Sequence, residues 1–400
     1  MTRQVRHRED TERQRPVPLE LFYDLVFVFA VTQVSHLLLA HLTWAGAGRA
    51  ALILLAVWWS WNFTTWTTNE LDPDSVLVCL LLIALMLASL LMAVAIPDAF
   101  GDHGLLFASA YVTIQVGRHM FVTFAASRAR TAERERSARI LVWFIGAGLF
   151  WIAGGVAEDR TRVALWICAV TLDYVAPLAL FPLPGRPRLS GETWQLVTSH
   201  FAERFGLFVI IALGETIVLT GATMADLELT ARTVAAFSVA FLGTVALWSL
   251  YFTSTRELTA QALERSSTQT TLARDAYTYG HALLVAAIIL SAVGDDLVIV
   301  HAAGTLGRAQ VIATAAGPAL YLLAQAALRL RATGAGSGAC FAGVIVCVVI
   351  GSAGGALPTL AFQGLLAATL LGVIAADAYH VRKRLGAQRA VDRPRSRSLL

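Results

Sequence analysis

Lysine is all but missing from this 400-residue chain. The single one, Lys383, lies in the C-terminal tail. That excludes a phosphate-binding loop of the Gly-Lys-Ser/Thr type and hence an ATPase of the chain's own. It also excludes a retinal-type Schiff base on a membrane-embedded lysine. Cysteine is scarce too: Cys79, Cys168, Cys340 and Cys347, none in a Cys-x-x-Cys pair. Neither a disulfide framework nor a zinc site is expected, and each thiol reads as a small apolar residue. The third shortage is charge. Charged residues make up 14% of the chain, where average soluble domains carry about 25%. Hydrophobic residues make up 57%, and mean hydropathy is +0.65.

What is present is a series of long apolar runs. A bilayer core is crossed by about 20 apolar residues in a helix. Runs of that size occur at approximately 20–42, 48–68, 75–96, 105–127, 138–157, 162–181, 200–222, 233–253, 276–294, 308–330, 338–356 and 360–380. The N-terminal MTRQVRHREDTERQRP is longer and more acidic than the start of a signal peptide, and no small-residue cleavage site follows. The expectation is a retained first helix. Topology follows from the arginines. With the N-terminus inside, only Arg49, Arg160, Arg162, Arg232 and Arg308 fall on the outer side, and Arg118 and Arg204 fall within helices. This bias predicts a multi-pass cell-membrane protein with both termini cytoplasmic. The basic C-tail reads as an orientation signal rather than a nucleic-acid arm; the expected surroundings are a lipid bilayer, with homo-oligomerisation left open.

Twelve spans divide as six plus six, and the halves are alike. Aligning Leu25 with Leu207 brings Ala30 onto Ala212 and Gln33 onto Glu215. WSWNFTT at 59–65 lines up with WSLYFTS at 248–254, sharing Trp, Ser, Phe and Thr in register. An even-numbered unit repeated in tandem keeps its orientation, so the first helices of the halves would face each other across an axis along the membrane normal. The predicted fold is all-α, a polytopic membrane bundle of about twelve transmembrane helices as two tandem six-helix repeats. Its parts are a charged N-tail (1–18), a first repeat (19–189), a second repeat (190–381) and a disordered basic C-tail (382–400).

Charges inside hydrocarbon are costly and mark candidate functional positions. Glu20 and Asp24 in LELFYDLVFVFAVTQVSH are four residues apart and share a helix face. Val28 and Val31 continue that stripe, while Gln33 and His36 lie on another. In HFAERFGLFVIIALGETI, His200, Arg204, Phe208, Ile211 and Glu215 form one stripe, with Glu203 beside it. Arg204 and Glu215 are roughly 16 Å apart along the axis, too far to pair directly. The transport-path candidates are Glu20, Asp24, Thr32, Gln33, Glu203, Arg204 and Glu215. The charge-partner candidates are Arg118, His119, Asp173 and His281, with Arg118–Asp24 and Arg204–Asp173 as expected ion pairs. Arg118, Arg204 and Glu203 also suit a purely structural role, tying helices together. The tryptophans of the second helix, Trp58, Trp59, Trp61 and Trp66, suit either a membrane interface or a cavity wall.

ELFYDLVFVFAVTQVSH, WNFTTWTTNELDPD, HFAERFGLFVIIALGETIV and YGHALLVAAIILSAVGDDL together resemble the bacterial low-temperature-requirement protein A (LtrA) family, over about residues 17–380. The resemblance implies a multi-pass membrane protein and little about mechanism. A shorter stretch, Phe22-Tyr23-Asp24-Leu25-Val26-Phe27 followed by Ala30-Val31-Thr32, is similar to the Phe-Ser-Asp opening of the first helix in the lysosomal potassium channel family. That likeness implies six-helix repeats whose first helices line the pore, with Val28, Val31 or Thr32 at the constriction. Tyr23 in place of serine, and Arg-Phe-Gly in the second repeat, depart from it. The functional expectation is a channel or secondary transporter for a proton, monovalent cation or small solute, without enzymatic activity, cofactor or metal. The alternatives are a non-catalytic membrane sensor or assembly factor, and an intramembrane metal-dependent hydrolase built on His36, His200 and His281.

Overall fold

The computed structural model describes residues 16–126, 131–190, 194 and 196–392, with side chains through Tyr379. Helix follows helix with short connections: α1 (Pro18–Ala40), α2 (Trp44–Thr68), α3 (Val76–Ala95), α4 (Gly104–Phe121), α5 (Thr131–Val156), α6 (Asp159–Leu178), α7 (Thr198–Asp226), α8 (Ala231–Leu250), the short α9 (Arg256–Arg265) and α10 (Gln269–Leu272), then α11 (His281–Val300), α12 (Arg308–Thr333), α13 (Gly338–Ala353) and α14 (Thr359–Asp392). No strand occurs among the described residues. Among the described residues ten helices are long and apolar enough to cross a membrane. α2 and α4 fall outside that ten because Trp, Asn, Ser and Thr lower the hydropathy of the first, and Gln115, Arg118 and His119 that of the second.

Most polar side chains of α2 and α4 point inward, Arg49 and Thr113 being exposed exceptions. Trp58, Trp59 and Trp61 are at most 2% exposed, so the membrane-interface reading of these three is corrected: they are core. Trp58 and Trp61 pack edge-on or tilted against Phe205 and Phe208 of α7 at 4.1–5.8 Å between centroids. The outward faces are apolar. On α3, Leu80, Ile83, Leu87, Leu90 and Val94 are exposed at helical spacing, as a helix bordering lipid requires.

Small residues set the closest approaches, as in other helix pairs packed within a bilayer. A Cβ on Gly294 of α11 would lie 2.7 Å from Thr314 Cα, and one on Gly317 of α12 would lie 2.7 Å from the Ser291 backbone nitrogen. Among the described residues three segments are wound wider than the α-helix, at Val122–Ala126, Tyr251–Thr255 and Ala273–Gly280; such turns recur at functional sites. The third is tied to α2: Trp58 Nε1 donates to the Thr278 carbonyl at 2.8 Å and Trp66 Nε1 to the Thr278 hydroxyl at 2.9 Å.

The helical backbone of α14 continues to Asp392, so residues 382–392 of the tail expected to be disordered are helical. Residues 1–15 of the N-tail and 393–400 of the C-tail lie outside the described residues.

Candidate functional site

The start of α1, the end of α2 and the start of α7 meet at one end of the bundle. There α1 and α7 present ionisable side chains to each other, all at most 1% exposed. Arg204 Nη2 donates to Asp24 Oδ1 at 2.6 Å, and its Nη1 lies 3.4 Å from Glu20 Oε1. Trp61 of α2 gives Asp24 Oδ1 a second donor at 2.8 Å. His200 sits one turn earlier, with Nε2 at 2.9 Å from Glu20 Oε2. Its other nitrogen is 3.1 Å from Asn69 Nδ2. Asn69 is oriented by the Val197 backbone, whose N–H reaches Asn69 Oδ1 at 2.9 Å while its carbonyl accepts from Nδ2 at 3.1 Å. The Asn69 amide therefore donates to His200 Nδ1, which leaves Nε2 as the protonated nitrogen that donates to Glu20.

Toward the other end, α1 and α7 touch again. The Thr32 hydroxyl donates to Glu215 Oε2 at 2.5 Å. Glu215 is fully buried with Ser35 and His36 of α1 near its charge; among the described residues its Oε1 has no hydrogen-bond partner and no arginine pairs with it. Gln33 is half-buried beside this contact and His36 is exposed. One turn beyond Leu219, Thr223 donates to Asp296 of α11.

A second polar chain crosses the first half. Thr64 donates to the Ser60 carbonyl at 2.9 Å, so its oxygen accepts from Tyr23 at 3.0 Å and from Arg118 Nη1 at 3.0 Å. Arg118 Nη2 donates to Gln115 Oε1, and Gln115 Nε2 reaches the Tyr111 hydroxyl at 3.1 Å. Tyr111 in turn donates to Asp173 Oδ2 at 2.6 Å, joined by Trp151 Nε1 at 3.0 Å.

These placements correct both expected ion pairs. Arg204 pairs with Asp24 and Glu20 rather than Asp173, because α7 packs on α1. Arg118 meets hydroxyl and amide oxygens rather than Asp24, and among the described residues it has no carboxylate partner. His281 is likewise no charge partner: its nitrogens meet the Tyr251 hydroxyl at 2.8 Å and the Ala276 carbonyl at 2.9 Å, and its ring stacks on Tyr277. His119 meets Ser137 at 3.4 Å. Glu203 is half-buried on α7, outside the cluster. The residues that sequence reasoning missed are Asn69, Tyr23, Tyr111 and Trp151, neutral partners that charge alone does not flag. His200 and His281 have separate partners, and among the described residues no group of three or more His, Cys, Asp or Glu side chains is placed to hold a metal ion.

The chain matches the family model described as bacterial low temperature requirement A protein (LtrA) over residues 16–375. It is also 40% identical over 318 residues to a protein of Rhizobium meliloti (strain 1021) named uncharacterized protein RA0937, covering 79% of this chain and 77% of that one. No solved structure matches it.

Proposed function

The chain belongs to the bacterial low temperature requirement A (LtrA) family, and we propose that it is a transporter or channel that moves a proton, a monovalent cation or a small solute across the cell membrane, with its path between α1 and α7. The observation that carries this reading is Glu215. A carboxylate that is fully buried, held by the Thr32 hydroxyl and left with one oxygen unpartnered costs several kcal/mol as a bare anion at membrane depth. A bound proton or small cation removes that cost, so Glu215 is the group that takes up and releases the coupling charge. The Asp24–Arg204 pair is the tie that holds the first helices of the two halves together while this happens.

The tandem-repeat organisation, 19–189 followed by 190–381, is part of the same proposal. What supports it is a shared contact. In the first half the Arg118 side chain of α4 reaches Thr64 in WSWNFTT. In the second, Arg329 of α12 reaches Ser254, at the end of WSLYFTS, at 2.8 Å and the next residue, Thr255, at 3.1 Å. Each repeat's fourth long helix thus sends an arginine to the hydroxyl-rich end of its second. The arginine distribution supports both termini in the cytoplasm.

The test is flux. Purified protein in liposomes is given proton and potassium gradients, beside Glu215→Gln. Flux in the wild type and none in a folded, inserted variant is the expected result. Equal flux in both removes Glu215 from the path. A folded wild type that carries neither ion leaves solute carriage or a sensor role.

A further inference from the structure

At the end of the bundle where α1 starts, a cavity of about 140 Å³ lies between α2, the end of α4, the start of α5, the end of α6 and the wide turn before α11. Four rings, Phe63, Trp66, Phe181 and Trp194, share its apolar walls with Leu71, Val122, Ile140, Pro177 and Leu180. Among the polar groups that line it, His119 stands out. The residue is 5% exposed, its Nδ1 meets Ser137 at 3.4 Å, and its Nε2 has no partner among the described residues. A buried imidazole nitrogen without a partner forfeits about 1–3 kcal/mol. The adjoining wall is strained: Leu180 and Phe181 both sit in the left-handed backbone region, at φ 57° and 50°. Consecutive non-glycine residues so placed cost about 1–3 kcal/mol each and cluster at ligand clamps. Among the described residues the formal charges on the lining balance, with Glu70 and Glu133 against Arg136 and Arg274.

We propose that this cavity binds a small, neutral, single-ring aromatic molecule carrying one hydrogen-bonding group, of the phenol class, with that group on His119 Nε2. The volume sets the size, since an apolar cavity of about 150 Å³ takes one benzene ring. The ring walls select an aromatic body by edge and face contacts. The balanced lining disfavours a net charge, and the orphan nitrogen calls for one polar substituent. The assignment is independent of the transport reading, because none of these groups touches Glu215 or Asp24.

The experiment is calorimetric titration of the detergent-purified full chain with phenol, toluene, benzoate and benzylamine. Thr271→Trp, which fills the cavity from its half-buried rim, reports uptake by the micelle alone. The expected result is saturable 1:1 phenol binding, about tenfold tighter than toluene, as one hydrogen bond gives. Thr271→Trp abolishes it, and His119→Phe removes the preference for phenol over toluene. The proposal is overturned by no saturable binding, by preference for either charged probe, by equal binding of phenol and toluene in the wild type, or by undiminished binding in Thr271→Trp.

Discussion

Removing Arg204 should damage the protein far more than removing Asp24, although the two form one ion pair. Arg204→Gln leaves Asp24 buried without a cation among the described residues and takes the guanidinium from Glu20. Breaking a buried pair from that side costs about 3–5 kcal/mol, roughly two to three and a half orders of magnitude in the folding equilibrium. Asp24→Asn is milder. The amide oxygen still accepts from Trp61 and Arg204, and Arg204 keeps Glu20 at 3.4 Å. The loss is the difference between charge-assisted and neutral hydrogen bonds, about 1–2 kcal/mol. The double variant should be less impaired than Arg204→Gln alone, by about 1–3 kcal/mol, because it leaves no bare carboxylate at position 24. Reversible unfolding in mixed micelles, followed by tryptophan fluorescence, measures all three. If Asp24→Asn proves as costly as Arg204→Gln, or the double variant equals the sum of the singles, the assigned pairing is wrong.

Two further outcomes follow from the same geometry. Arg118→Met should cost only about 1–2 kcal/mol, chiefly for the Gln115 oxygen it strands; a loss as large as that of Arg204→Gln in the same assay would reveal a counter-charge that the hydrogen-bond pattern does not contain. Gly317→Ala places a methyl 2.7 Å from a backbone nitrogen of α11 and should lose about 1–3 kcal/mol, whereas Gly243→Ala, with nothing within 4 Å of its Cβ, should stay within about 0.5 kcal/mol. Thermal unfolding of the two alanine variants side by side separates them.

The helices themselves were legible because a long apolar run, bounded by arginines and short polar turns, satisfies its backbone within a bilayer only by coiling into a helix. So were the positions worth watching: Glu20, Asp24 and Glu215 are conspicuous wherever hydropathy is high. Their partners were not legible, because which helix lies beside which is decided by packing. Arg118 and Arg204 carry the same charge at similar depths, yet α7 lies on α1 at Asp24 while α4 presents Arg118 to α2. The neutral partners were hidden more deeply. Trp61 stands three residues from Trp58 in a run that reads equally as interface or core, and only the aromatic face of α7 decides it. Asn69 lies just past the end of α2, where an asparagine reads as a turn. The tail from 382 looked disordered by charge, but its Arg, Ala, Leu and Gln are good helix formers, and α14 runs on as far as Asp392.

The contact between Glu20 and His200 spans 180 residues of sequence, as does that between Asp24 and Arg204. At about 5–20 residues per second of synthesis, α1 leaves the ribosome roughly ten to forty seconds before α7 exists. Throughout that interval its two acids have neither guanidinium nor imidazole from α7. Until the second half arrives, those acids are best accommodated protonated, at the membrane interface, or in a protein-lined vestibule of the insertion machinery. Biogenesis of this chain should accordingly fail when the two halves are made too far apart in time, and recover when they are co-expressed as separate polypeptides.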